Sequence, residues 1–236
     1  VTVATLVATT IQPVQANSTV TIVAVGDIAR AKGAQTKTAT LTKNLKPQQV
    51  LLLGDLVYQS GTDTEFAKYF LPKWKSLLSK SWAVPGNHEY RTANAAGYRN
   101  LITQNAMPAT GENLWWVKQT GAWSVIGLDS EALTGTTGEK QLEFVREALA
   151  SNDGRPTIVT WHRPTFSRGY HGDQTDTASL WDLVSADKDV KLVLWGHDHN
   201  YEQVERTVQS GTSNERKINT IVVGTGGADL RNCKTP

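Results

Sequence analysis

The sequence predicts an α/β fold, and three observations carry the prediction. Apolar runs of strand length recur along the chain as "TVTIVAVGD", "QVLLLGD", "SWAVPGNH", "PTIVTWH" and "VKLVLWGHDH". Each is rich in Val, Ile, Leu or Ala and closes on a polar residue, the pattern of central strands buried on both faces. Segments with helical spacing of apolar residues separate several of these runs, and strands alternating with helices indicate an α/β architecture. The 236 residues, 39% of them hydrophobic, suffice for one large domain. No Pro-, Gly- or Ser-rich linker and no internal repeat divides them.

Taken in chain order, residues 1–18 are apolar, rich in small residues and include "VQA", suited to a signal peptidase. They read as the remnant of a secretory signal or as an N-terminal tail, with a secreted or periplasmic protein following from the first reading. The stretch is too short and too Thr-rich to span a bilayer. The catalytic domain is expected over 19–236. Its first run ends at Asp27 and its second at Asp55, with Tyr58 three residues on. Residues 62–78 place Phe66, Phe70, Trp74 and Leu77 on one helical face. The third run leads into Asn87 and His88. A second helix is expected over 137–150, with Thr137 as N-cap, Leu142, Val145 and Leu149 facing inward, and Gly154 beyond its end. The fourth run ends at His162, and the fifth carries His197 and His199. Ligands of such sheets sit beyond the carboxyl ends of the strands, so these polar residues should meet on one rim.

The eight Trp residues mostly lie in or beside the apolar runs and read as packing. Cys233 is the only cysteine, which excludes an intrachain disulfide within this sequence. The ending "RNCKTP", just after a strand and a Gly-rich turn, reads as cut short. Lys and Arg total 24 against 22 Asp and Glu, a net charge of +2. That balance provides no basic footprint for nucleic acid or an anionic membrane, so any phosphate recognition must be local.

Four of the five histidines, His88, His162, His197 and His199, fall at or just after strand ends; the fifth, His171, lies in the loop after His162. One such His would read as structural. Four of them, joined by Asp27, Asp55 and Asn87, form a set whose carboxylates need compensating charge, which a cation supplies. Oxygen and nitrogen ligands suit first-row transition metals, and the lack of cysteine ligands argues against a structural zinc finger. In "GHDH" the two imidazoles stand at i and i+2 and can face different ions. With Asp55 as a bridge the set divides between two metals, about 3.5 to 4 Å apart in hydrolytic sites.

The ordered motifs "GD", "GDxxY", "GNHE", "VxxH" and "GHxH" resemble the calcineurin-like metallophosphoesterase signature, and the purple acid phosphatases are the branch they are most similar to. They match Asp27; Asp55 with Tyr58; Asn87, His88 and Glu89; Val159 with His162; and His197 with His199, over about residues 20 to 227. The resemblance implies an α/β/β/α sandwich of two sheets. Many members carry Asp-x-His in the first motif, whereas the purple branch has Asp-x-Gly and recruits the tyrosine of "GDxxY". Here the first motif is Asp27-Ile28-Ala29, so Tyr58 would supply the ligand that Ala29 cannot.

By the same resemblance one metal takes Asp27, Asp55, Tyr58 and His199, and the other takes Asp55, Asn87, His162 and His197. The hard, anionic first site suits iron(III); the second suits zinc(II), iron(II) or manganese(II). Metal-acidified water would attack phosphorus, His88 would protonate the leaving group, and His171 would contact the phosphate. Arg163 and Arg168 flank the His171 loop and read first as solvated charges. Glu89 would orient a neighbouring ligand or His88. The implied activity is hydrolysis of small phosphate monoesters, with no nucleic-acid or membrane partner. A diesterase using the same metals, for cyclic nucleotides or similar esters, is one alternative; a non-catalytic phosphate-binding relative is another. The protein Ser/Thr phosphatases, with "GDxVDRG" where this chain has "GDLVYQSG", are less similar.

Overall fold

All five apolar runs form strands, and the alternation of their side chains explains why they are largely apolar on both faces. A computed structural model describes residues 19–210 and 214–233; the signal-peptide reading concerns residues outside that range. In the first sheet β1 (Ile22–Val25), β2 (Gln49–Leu53) and β3 (Ser81–Val84) are parallel, in the order β1-β2-β3. The second sheet contains β4 (Trp116–Thr120), β5 (Trp123–Gly127), β6 (Thr157–Thr160), β7 (Val190–Trp195), β8 (Tyr201–Ser210) and β9 (Asn214–Val223). Its order is β4-β5-β6-β7-β9-β8, with a parallel centre and antiparallel pairs at both edges.

Successive residues of a strand point to opposite faces. On β2, Leu51 and Leu53 meet Trp116, Val125, Ile158 and Leu194 of the second sheet, while Val50 and Leu52 turn outward to a helical layer. That layer includes α1 (Gln35–Asn44), the helical residues 63–80 and α4 (Ala96–Gln104). The second sheet likewise turns Val159, Trp161, Val193 and Trp195 toward α5 (Gly135–Ala150) and α6 (Ala178–Ala186), where Val145, Leu180 and Val184 await them. The result is the expected α/β/β/α sandwich. Each buried Leu or Val contributes about 1.5–3 kcal/mol relative to exposure. Trp74, Trp116, Trp161 and Trp195 are fully buried, as packing residues should be.

Residues 63–80 are helical as expected, and Phe66, Phe70, Trp74 and Leu77 are all buried, but the helix is not continuous. It runs as α2 (Asp63–Glu65), a π turn (Phe66–Phe70), α3 (Leu71–Trp74) and a 3-10 turn (Lys75–Lys80). Pro72, in the first turn of α3, has no N–H to bond back along the chain, so the ladder reorganises just before it. Thr62 and Glu65 start the segment with a capping box. The expected N-cap of α5 is corrected: Gly138 N–H bonds the Thr134 carbonyl at 3.2 Å, so the helix begins before Thr137, with Thr134 as N-cap. Among the described residues no helix is long and apolar enough to cross a membrane.

Candidate metal centre

The strand-end residues meet because the backbone turns sharply just where the strands stop. Asp27, Asp55 and His197 have φ of 59°, 48° and 69°, left-handed values that only a held loop keeps for such residues. The first sheet is joined to the second at this rim, where Gly26 N–H bonds the Val223 carbonyl and Gly226 N–H bonds the Gly26 carbonyl, both at 2.9 Å. Gly54, with φ of 85°, has no alternative: a Cβ there would stand 2.5 Å from His162 Nδ1.

Two groups of side chains result. In the first, the Tyr58 hydroxyl lies 2.7 Å from Asp27 Oδ1 and 3.0 Å from His199 Nε2, which is 3.4 Å from Asp27 Oδ1. In the second, His162 Nε2 lies 3.4 Å from Asp55 Oδ2, and the His197 ring is 5.2 Å from that of His162. Asp27, Asp55 and His162 bring ligand atoms within 4.8 Å of one another, linking the groups. Ala29 is accommodated: its methyl is buried in the helix-side core, and its carbonyl accepts the Tyr58 N–H at 2.8 Å, fixing where Tyr58 starts.

The imidazoles show what the cluster calls for. Nδ1 of His162 faces the Leu53 carbonyl at 2.8 Å, Nδ1 of His199 the Asp229 carbonyl at 2.7 Å, and Nδ1 of His88 the Gln59 carbonyl at 2.7 Å. A carbonyl only accepts, so in all three Nδ1 carries the proton and Nε2 turns toward the carboxylates. His162 Nε2 is buried with no hydrogen-bond partner, and so is the Asn87 oxygen. With Nε2 of His162 3.4 Å from Asp55, the pair needs positive charge between them, from a proton on that nitrogen or from a cation in its place. Ligand atoms bonded to one ion at about 2.1 Å are roughly 3.0–3.4 Å apart, the spacing of His199 Nε2 from Tyr58 and from Asp27, while Tyr58 and Asp27, at 2.7 Å, are held by a hydrogen bond. Asp27, Asp55 and His162 fit a bound cation.

The ionisation of the site makes the same demand. Burial would raise the Asp55 carboxyl, but His162 and His88 carry it well below the usual carboxylate range. Burial opposes protonation of His162, yet Asp55 and then Asp27 raise its pKa to about 10. His197, buried and beside His162 and His171, falls to about 2. Burial, with Asp27 and Asp55, pushes Tyr58 far up, so its hydroxyl keeps its proton and donates to Asp27 until a strong cation draws that proton off.

Two carboxylates hold the loops in place. Glu89 is fully buried and accepts the N–H groups of Asp55 (2.9 Å), Leu56 (2.9 Å), Val57 (3.3 Å) and Gly86 (2.8 Å), tying the second motif to the third. Burial and Asp55 push its pKa up to about 8, against the N–H bonds that pull it down. Asp198, between the two histidines of "GHDH", is also fully buried. Its oxygens accept the Ser167 hydroxyl and, at 2.8 Å, the His171 N–H, so it fixes the loop that presents His171. Sequence reasoning gave Asp198 no role. The only signal was a carboxylate inside a ligand motif, at a position the motif leaves free.

His88 packs edge-on against Tyr58 at 4.3 Å, its Nε2 3.8 Å from Asp55 Oδ2; burial lowers its pKa and Asp55 opposes the change. His171 lies with its ring 4.3 Å from that of His197, at the open side of the cluster. Arg163 is drawn away into a two-pronged ion pair with Glu131, at 2.6 and 3.0 Å, and Arg168 is exposed. All the expected ligands and both expected catalytic histidines therefore stand at one rim; the two loop arginines do not join them.

A model of the calcineurin-like phosphoesterase family matches residues 20–201. The chain is 27% identical over 159 residues to the 3',5'-cyclic adenosine monophosphate phosphodiesterase of Haemophilus influenzae, covering 64% of this chain and 54% of that protein. It is 27% identical over 183 residues to human acid phosphatase type 7, covering 66% of this chain and 40% of that protein. The chain thus spans about half the length of the curated relatives it matches. Its fold superposes on a purple acid phosphatase from yellow lupin with TM-score 0.74 and 21% identity, covering 93% of this chain and 46% of that one. With the family match spanning most of the sandwich and every motif at its rim, the chain belongs to the calcineurin-like phosphoesterase family.

Proposed function

We propose that the chain is a binuclear metal-dependent phosphatase of the purple acid phosphatase type, hydrolysing small phosphate monoesters. The observation that carries the reading is the Tyr58 hydroxyl, set between Asp27 and His199 at ligand spacing in a site whose first motif has no histidine to offer. Asp27, Asp55, Tyr58 and His199 would hold the first ion, and Asp55, Asn87, His162 and His197 the second. Two carboxylates and a phenolate favour iron(III); two imidazoles and an amide suit zinc(II), iron(II) or manganese(II). Bound there, the ions supply Lewis acidity toward the phosphoryl oxygens and lower the pKa of water to near neutrality.

The chain's own residues do the rest. With Nδ1–H held on the Gln59 carbonyl, His88 acts as the imidazolium, giving the second proton, carried on Nε2, to the leaving oxygen and returning to the neutral Nδ1–H form. Glu89 and Asp198 hold the loops on which Asp55, Gly86 and His171 are carried. His171, beside His197, contacts the phosphoryl group from the open side. The similarity to a cyclic-nucleotide phosphodiesterase supports a diesterase as the second reading. The tyrosine in the first group favours the monoesterase.

Tyr58→Phe tests the reading. Tyr58 is buried and edge-on to His88, and the substitution keeps the ring while deleting one oxygen, so the fold should hold. The iron-loaded protein should show a visible charge-transfer band from the phenolate and hydrolyse p-nitrophenyl phosphate. The variant should lose the band, bind the first metal more weakly and slow by about 10-fold or more, the usual loss for an altered metal shell. A variant that keeps the band, the metal content and the rate would end the proposal.

A further inference from the structure

Arg231 lies after β9, outside every motif, yet two bonds tie it to the centre. Its backbone N–H donates to the His199 carbonyl at 3.0 Å, and its guanidinium Nη1 donates to His171 Nε2 at 2.7 Å. The guanidinium also sits over the Tyr170 ring, 4.9 Å from its centroid. Its arm therefore runs from one proposed ligand toward the histidine stacked on another, at the mouth of the cluster.

The charge there is uncompensated. Among the described residues no carboxylate pairs with Arg231. Asp229, two residues earlier, bonds Arg30 instead, and the oxygens of Asp198 are occupied by Ser167 and the His171 N–H. An imidazole returns little to a guanidinium, and only one of its five N–H donors is used on His171. A planar fork of donors, braced on an aromatic ring and aimed past an imidazole, matches the oxygens of a phosphoryl group.

We infer that Arg231 is a specificity-determining residue that grips the outward oxygens of the substrate's phosphoryl group beside His171, and so favours a dianionic monoester over a monoanionic diester. The inference rests on the phosphatase reading and deepens it. A diester carries an alkyl or aryl group on one of those oxygens and one charge fewer, so it has less to gain from the guanidinium.

The test uses the metal-loaded protein with Arg231→Gln, which keeps hydrogen bonding without charge, and Arg231→Lys, which keeps charge without the fork. Calorimetric titration with inorganic phosphate reads binding apart from turnover; p-nitrophenyl phosphate and its bis-ester read the preference. Arg231→Gln should weaken phosphate binding and monoester kcat/KM by roughly 10- to 100-fold, the worth of a charge-assisted hydrogen bond, and the diester clearly less. Arg231→Lys should recover part of the loss, and metal content and melting temperature should not change. Unchanged phosphate affinity and an unchanged monoester-to-diester ratio in Arg231→Gln would overturn the inference. A wild type that binds phosphate but hydrolyses neither ester would end the phosphatase reading, while its phosphate affinity against that of Arg231→Gln still decides the role of Arg231. A wild type that does not bind phosphate would end both.

Discussion

His88→Ala should retain both metal ions and slow hydrolysis of an alkyl phosphate by about 10²- to 10⁴-fold, the range for a lost general acid. The substitution isolates the imidazole. Asp55 Oδ1 is held at 2.8 Å by the His88 backbone N–H, which alanine keeps, so the carboxylate proposed to bridge the ions stays in register. What disappears is the proton that Nε2 carries in the imidazolium, the one the Gln59 carbonyl does not hold. A nitrophenolate leaves without protonation, so the loss should be much smaller for p-nitrophenyl phosphate than for an alkyl ester. Rates measured on both substrates, with metal content determined on the same samples, decide the matter. An unchanged rate on the alkyl ester would leave His88 as a packing partner of Tyr58.

Glu89→Ala should destabilise the fold by about 3–5 kcal/mol, because four buried N–H groups lose their acceptor at about 1–3 kcal/mol each and entering water recovers part of the cost. Against a total stability of about 5–15 kcal/mol that is a large fraction. The freed groups belong to the loops that carry Asp55 and Asn87, so metal affinity should fall as well, by about 10- to 100-fold. Glu89→Gln retains one accepting oxygen but turns an amide N–H₂ toward donors, and it should fall between the two. Urea unfolding followed by metal analysis reads both effects. An unfolding midpoint in Glu89→Ala equal to that of the parent would show that the N–H groups find other partners.

The strands that carry the site were legible because both their faces are buried: Leu51 and Leu53 meet one layer, Val50 and Leu52 the other, and no polar residue interrupts the run. The proposed ligands were legible because they close those runs. Other elements give weaker signals. In β4 the side chains of Val117, Lys118 and Gln119 are exposed, and in β8 exposure alternates along a largely polar strand, so neither forms an apolar run. Helix α1, "QTKTATLTKN", buries only Gln35, Ala39 and Thr42, which leaves almost no hydrophobic periodicity to read. The break at Pro72 could have been foreseen from the residue itself. Asp198 and Arg231 were out of reach in a different way, and Glu89 was legible as an orienting residue but not as the acceptor of four N–H groups, since those partners are brought together only by the closed fold.

Stepwise reloading of chelator-stripped protein, with metal content and ester hydrolysis measured at each step, tests the binuclear phosphatase reading most directly. Two ions per chain are expected, with p-nitrophenyl phosphate hydrolysis appearing only as both sites fill and exceeding the rate on the bis-ester. Hydrolysis that survives complete metal removal, or that is fully restored by one ion per chain, would contradict it.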